Sequence, residues 1–131
     1  MPSIFSKIVA GEIPCHKVAE TEQFLAFLDV SPLVEGHVLV IPKVEIDYIF
    51  DIDDETFAGL QLFAKIVSHA IKKTIDCKKI GVAVVGLEVP HAHIHLIPIN
   101  KVSDMNFERA KMSPTQEQLA QTAAKIRSNL K

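Results

Sequence analysis

Three of the chain's six histidines fall within five residues, at His91, His93 and His95, inside the stretch GLEVPHAHIHLIPI from Gly86 to Ile99. Imidazole is a nucleophile, an acid or base near neutral pH, and a metal ligand. The residues between and after the histidines are apolar: Ala92, Ile94, Leu96 and Ile97. As a strand, this alternation sets the three imidazoles on one face, roughly 7 Å apart, and Ala92, Ile94 and Leu96 on the other. As a helix it would scatter the histidines, and Pro90 and Pro98 argue against a helix interior. One buried histidine is often a satisfied core group. Three in register are hard to explain by packing.

Two chemistries compete for such a row. A structural zinc takes four ligands, and a catalytic zinc takes three plus water. Cys15 and Cys77 lie far apart, and Glu88, three residues before His91, is the nearest carboxylate on that side. Alternatively, one imidazole attacks phosphorus and forms a phosphoramidate that water later cleaves, while its neighbours orient it, hold oxygens and carry protons. Phosphoryl transfer chiefly needs positioning and electrostatics. His93 is favoured as the nucleophile because it has a partner on each side.

The elements that must position these groups follow one another closely, with no repeat, low-complexity tract or linker. Residues 3–10 read as a short helix with Ser3 as N-cap, an Ile4, Phe5 and Ile8 stripe, and Gly11 as the stop. Cys15–Ala19 and Phe24–Asp29 read as a hairpin around the polar turn Glu20–Gln23, with Phe24, Ala26 and Leu28 on one face. Residues 30–36 form a loop holding Pro32 and Gly36. His37–Ile41 is a nearly all-apolar run, expected as a central strand buried on both faces. His37 at its start is either a strand-end group near solvent or a ligand-facing one.

Asp53 or Asp54 caps the longest helix, which runs to about Thr74. Its core stripe is Phe57, Leu60, Ala64, Val67 and Ile71, with Lys72 and Lys73 suited to its C-terminal dipole. His69 lies off that stripe, as a surface residue. Lys78 and Lys79 occupy a turn, solvated or in reach of a phosphate. Ile80–Val85 reads as another buried strand, joined through Gly86–Val89 to the histidine strand as an antiparallel hairpin. Residues 100–112 look irregular. A last helix, about 113–130, starts with Ser113 as N-cap, Pro114 in the first turn and Gln116 completing a capping box. Leu119, Ala123, Ile126 and Leu130 form its inner face. Hairpins outnumber crossovers, so the expected class is α+β: about five strands in a mainly antiparallel sheet, one long central helix and a C-terminal helix.

The 131 residues suit one domain, 1–131, with a sizeable core. Lys and Arg total 14 against 16 Asp and Glu, a formal charge of −2, which argues against long nucleic acid as a partner but leaves a small phosphate ligand open. The cysteine pattern suits a reducing compartment. The opening MPSIFSKIVAGEIP lacks the apolar run of a signal peptide, and no stretch approaches a membrane span. The expectation is a cytosolic protein with no membrane partner.

HAHIHLI resembles the histidine-triad (HIT) signature, in which three histidines alternate with apolar residues. FLAFLDVSPLVEGHVLVIPK (Phe24–Lys43) and SIFSKIVAGEIP resemble the family's first block and its N-terminus, so the resemblance covers about residues 3–99. It implies a HIT-like fold and a homodimeric nucleotide hydrolase or transferase. Such an enzyme attacks the α-phosphorus of a small nucleotide substrate, with no cofactor for the covalent step. By position it makes His93 the nucleophile, puts His91 and His95 beside it in contact with phosphate, and adds His37 as a fourth histidine. Asp29 falls where the family contacts ribose hydroxyls. Leu87 and Glu88 stand where a Gln-Ser or Gln-Thr pair usually lies near the phosphate. Bacterial relatives often start CIFC and carry a histidine shortly after IPK, forming a structural zinc site with the first triad histidine. Here Ser3, Ser6 and Glu45 occupy those places, so no metal site is expected. A binding module with little catalysis is the alternative function, and a histidine metal site a more distant one.

Overall fold

The computed structural model describes residues 2–130. In order, the chain forms α1 (Ile4–Val9), β1 (Lys17–Glu20), β2 (Phe24–Leu28), β3 (Val38–Pro42), α2 (Asp54–Thr74), β4 (Lys79–Ala83), β5 (Ile94–Ile99) and α3 (Gln116–Ser128), with short 3-10 turns at Ile49–Asp51 and Val102–Met105. The strands make one sheet in the order β1-β2-β3-β5-β4, with every neighbouring pair antiparallel. The α+β class with a five-stranded antiparallel sheet holds.

β2 and β3 are buried along their whole length, as unbroken apolar runs require. One face of the sheet carries Phe24, Ala26, Val38, Val40, Ile94 and Leu96 into a core with Leu60, Val67 and Ile71 of α2 and Leu119 and Ile126 of α3. The opposite face is smaller. There Leu25, Phe27, Leu39 and Ile41 pack on Phe5 of α1. Because side chains alternate along β5, Ile94 and Leu96 feed the large core while His95, paired across from Leu39 and Ala83, joins the α1 face.

α2 is set as its sequence demands. Asp53 caps it by accepting from the Thr56 N–H at 3.1 Å, and Lys72 and Lys73 lie in its last turn. His69 is exposed on it. Gly36 has φ +89°, a region only glycine enters freely, and a Cβ there would stand 2.8 Å from Ile75 Cγ1 and 3.2 Å from Pro98 Cγ. This tight passage delivers the chain to His37 and the start of β3.

Several boundaries move. β1 begins at Lys17 instead of Cys15, with a register irregularity between Lys17 and Ala19. β4 is an edge strand ending at Ala83 instead of a buried strand through Val85; Val82, Val84 and Val85 are exposed. The histidine strand is shorter than alternation suggests. β5 starts at Ile94, where its ladders end: its last partner on β3 is Val40 and on β4 is Ala83. Before it, the His91 N–H bonds the Val89 carbonyl and the Ala92 N–H bonds that of Ile46. α3 starts two residues beyond the expected cap. Thr115 is the N-cap, its hydroxyl accepting from Gln118 N–H while Gln118 Oε1 accepts from Thr115 N–H. Ser113 opens the same motif, but the helix forms on the second copy.

Candidate active site

The α1 face of the sheet opens into a cavity of about 410 Å³. His93 and His95 line it, together with His37, Asp29, Phe5, and Leu87 and Glu88 of the long loop between β4 and β5. His91 is fully buried and is not among the lining residues. The three imidazoles therefore do not share one cavity: two face it, and the first lies behind. His91 keeps to the α1 face, with Ala92 turned to the large core, but there it is covered by Ser3 and the Phe5 ring. A second cavity, about 280 Å³, lies between α3 and the loop preceding β3 and shares Leu28, Asp29 and His37, but neither His93 nor His95.

Backbone partners fix the protons on these rings. A carbonyl oxygen only accepts, so the 2.8 Å contact between His93 Nδ1 and the His91 carbonyl makes Nδ1 the donor and leaves the lone pair of neutral His93 on Nε2. His37 Nδ1 accepts from the Leu33 N–H at 3.1 Å, so neutral His37 carries its proton on Nε2. That proton points to His95 Nδ1, 3.0 Å away, which places the His95 proton on its own Nε2. The rings of His93 and His95 meet edge to face, centroids 4.9 Å apart. The sequence of contacts thus sets a bare nitrogen on His93 next to an N–H on His95.

Burial keeps the two supporting rings neutral. Desolvation, aided by neighbouring imidazoles, lowers His37 from 6.5 to about 3 and His95 to about 4. His91 is lowered too, again chiefly by burial. The 3.7 Å approach of Asp29 Oδ2 to His37 Nε2 is accordingly not an ion pair at neutral pH. Burial raises the Asp29 carboxyl, while the Ser31 N–H, 2.9 Å from Oδ1, pulls it back.

These shifts bear on stability. Below pH 6.5 the unfolded chain takes up protons that folded His37 and His95 refuse until about pH 3 and 4 respectively, so the unfolded state binds more protons. Stability is full above 6.5 and falls as pH drops from there. Asp29, with its raised carboxyl, offsets part of the loss at lower pH. Thermal melting should show the midpoint falling between pH 6.5 and 4, with His37→Gln flattening that fall.

Two residues of the site escape sequence reasoning. Phe107 and Lys111, from the segment that looks irregular, both line the cavity. The Phe107 ring lies 4.8 Å from that of His95 and 6.4 Å from that of His37. Lys111 is the one cation among the described lining residues, and its ammonium bonds the Phe107 carbonyl at 3.0 Å. No periodicity marks them; an aromatic and a cation soon after the histidine strand are the only signal. Lys78 and Lys79 lie off the cavity lining, in exposed positions.

Metal binding can be tested on the donor set. Ligand atoms of Asp29, His37 and His95 lie within 4.8 Å of one another. An ion there would have to open the His37–His95 hydrogen bond and displace its proton. The zinc site that the resemblance brings to mind does not fit the residues in its place. Ser3 and Ser6 offer hydroxyls instead of thiolates. Ser3 Oγ lies 2.9 Å from His91 Nδ1, while the Ser3 N–H and the Ser6 hydroxyl both donate to Glu45 Oε1 at 2.6 Å. The atoms that would face an ion are bonded to one another.

The HIT domain family model matches residues 10–102. An uncharacterized HIT-like protein of Borreliella burgdorferi is 33% identical, over 97% of both chains. An adenosine 5'-monophosphoramidase of Schizosaccharomyces pombe is 40% identical, over 75% of this chain and 74% of its own. Among solved structures, a Hit-like protein involved in cell-cycle regulation from Bartonella henselae, with an unknown ligand, superposes with a TM-score of 0.85. It is 31% identical, over 98% of this chain and 96% of its own.

Proposed function

Because this chain belongs to the HIT domain family, a class of nucleotide hydrolases and transferases, we propose that it cleaves a bond at the α-phosphate of a purine nucleotide conjugate through a nucleotidyl-histidine. The observation that carries the reading is the fixed tautomer of His93, whose Nδ1 is spent on the His91 carbonyl so that Nε2 is free to attack.

In the first displacement, His93 Nε2 bonds the α-phosphorus, and the bond from phosphorus to the leaving amine or phosphate breaks. The neutral His95 Nε2–H, backed by His37, donates a hydrogen bond toward the leaving group, which takes its proton from water. In the second, water attacks phosphorus and gives its proton to solvent, the P–N bond breaks, the monophosphate departs and the histidine returns to its starting form. Asp29 would accept from ribose hydroxyls. His91 acts from behind, through its carbonyl, rather than on phosphate. The relative from fission yeast, an adenosine 5'-monophosphoramidase, supports an adenosine phosphoramidate as the first substrate to try; a dinucleoside polyphosphate offers the same α-phosphorus.

The binding-module reading has one observation in its favour. Glu88 lines the cavity and would repel a phosphate, a charge that Lys111 opposes. One experiment separates the two. Wild-type protein is mixed with an adenosine phosphoramidate, quenched in alkali to preserve the P–N bond, and weighed intact, with released AMP measured in parallel. An adenylyl adduct with AMP release is expected. AMP binding by calorimetry with neither adduct nor release would leave only the module.

The reading extends to the assembly and the compartment. A homodimer formed along β4 is supported by that strand's free edge and its exposed Val82 and Val84, with Leu62 and Ile66 exposed on α2. A cytosolic location is supported by the unpaired Cys15 and Cys77.

A further inference from the structure

We infer that Ser3, Ser6 and Glu45 form a hydrogen-bonded clamp that positions His93 through His91. The contacts form an unbroken chain. Glu45 Oε1 accepts from the Ser3 N–H and the Ser6 hydroxyl, both at 2.6 Å. The Ser6 N–H donates to Ser3 Oγ at 3.0 Å, which leaves the Ser3 hydroxyl proton for His91 Nδ1 at 2.9 Å. The other nitrogen of His91 donates to the Pro42 carbonyl at 2.8 Å. With both ring nitrogens held, His91 cannot turn, and its carbonyl is presented to His93 Nδ1 at 2.8 Å. The Ser6 hydroxyl also lies 3.4 Å from His91 Nδ1, but its proton goes to the nearer Glu45 oxygen. The last bond of the chain sets the lone pair on His93 Nε2.

The bland alternative is that these residues only pin α1. Ser3 is its N-cap, and Glu45 suits its N-terminus. That account explains the Glu45 contacts but not the buried Ser3–His91 bond, which joins residues 88 apart in sequence. Capping α1 does not require a buried imidazole, and a fully buried ring with an unpaired nitrogen would be costly. Glu45 is ionised throughout the working range, since the bonds from Ser3 and Ser6 lower its carboxyl to about 2. In metal sites, hydrogen-bond partners that orient a ligating histidine carry about 10–100-fold in affinity or activity, and the lower end of that scale is the expectation for this clamp.

The catalytic consequence rests on the proposed function; the geometry does not, so the test reads both. Long-range proton–nitrogen spectra of the full chain report the His91 and His93 tautomers. Steady-state rates with an adenosine phosphoramidate report kcat and KM. Ser3→Ala and Glu45→Ala are compared with Ser3→Thr, which keeps the hydroxyl. Glu45→Ala also keeps the Ser3 cap, guarding against loss of α1. The expected result is a His93 signal that shifts toward mixed tautomers in Ser3→Ala and Glu45→Ala, kcat down about tenfold with KM little changed, and recovery in Ser3→Thr. Folded variants with an unaltered His93 tautomer would overturn the clamp, as would stoichiometric zinc in protein purified without added metal. If wild type proves inactive, the spectra still decide the clamp, and the proposed function fails separately.

Discussion

Replacing His93 with alanine is expected to lower nucleotide release by roughly a thousandfold or more, the scale seen when a nucleophile is removed from an otherwise intact site. The loss should fall on kcat. Asp29, Phe5 and the loop that carries Leu87 and Glu88 remain in place, so calorimetric AMP affinity should change only a few-fold. The fold should survive. His93 is nearly buried, but its polar tie is one bond to the His91 carbonyl, whose loss costs about 1–3 kcal/mol. Added imidazole offers a sharper check. It can enter the space between Phe5 and His95 and restore part of the turnover without forming an adduct on the protein. Equal release by mutant and wild type would place the nucleophile elsewhere.

Truncating Phe5 to alanine is expected to produce the second large effect, a loss of about 3–5 kcal/mol in unfolding free energy. α1 has six residues, too few to stand as a helix on its own. Phe5 is its buried residue, at 7% exposure, and anchors it to Leu25, Phe27, Leu39 and Ile41. The same ring stands edge to face with Phe27 at 5.5 Å, His93 at 4.9 Å and His91 at 5.9 Å. Stability and chemistry should therefore fall together: the urea midpoint drops, and kcat drops as the wall beside His93 is lost. Phe5→Leu, which keeps most of the volume, should recover most of the stability. A loss below about 1 kcal/mol would mean that α1 contributes little to the smaller core.

Where one physical rule governs a segment, the sequence was a sufficient guide. β2 and β3 are apolar without interruption because both of their faces are covered, and α2 shows its cap, its stripe and its basic end. Of the side chains the sequence singles out, Asp29, His37, Leu87, Glu88, His93 and His95 line one cavity. What escaped depends on partners distant in the chain. Alternation could not show that β5 starts at Ile94, because that is set by where its pairing with β3 and β4 ends, at Val40 and Ala83. It could not show that His91 lies behind the cavity. The apolar run of β4 reports a surface meant to be covered, without saying that this protein's own core leaves it at the edge. At α3, two overlapping capping motifs were available, and local sequence did not choose between them. Phe107 and Lys111 reach the cavity from a segment whose only regular structure is a short 3-10 turn, and no periodic pattern could announce them.

The strand order has a kinetic corollary. Pairs β1–β2, β2–β3 and β4–β5 join strands that follow one another in the chain, so each hairpin can form early and cheaply in loop entropy. β3–β5 alone spans the α2 segment, and it is the pairing that carries His37 to His95, 58 residues away. Non-local pairings of this kind form slowly, because the intervening loop must close before the contacts reward it. Neither half holds the His37–His95 hydrogen bond alone. The cavity that both rings line is therefore completed in one late docking event, and a folding chain passes through no stage at which half of it is in place.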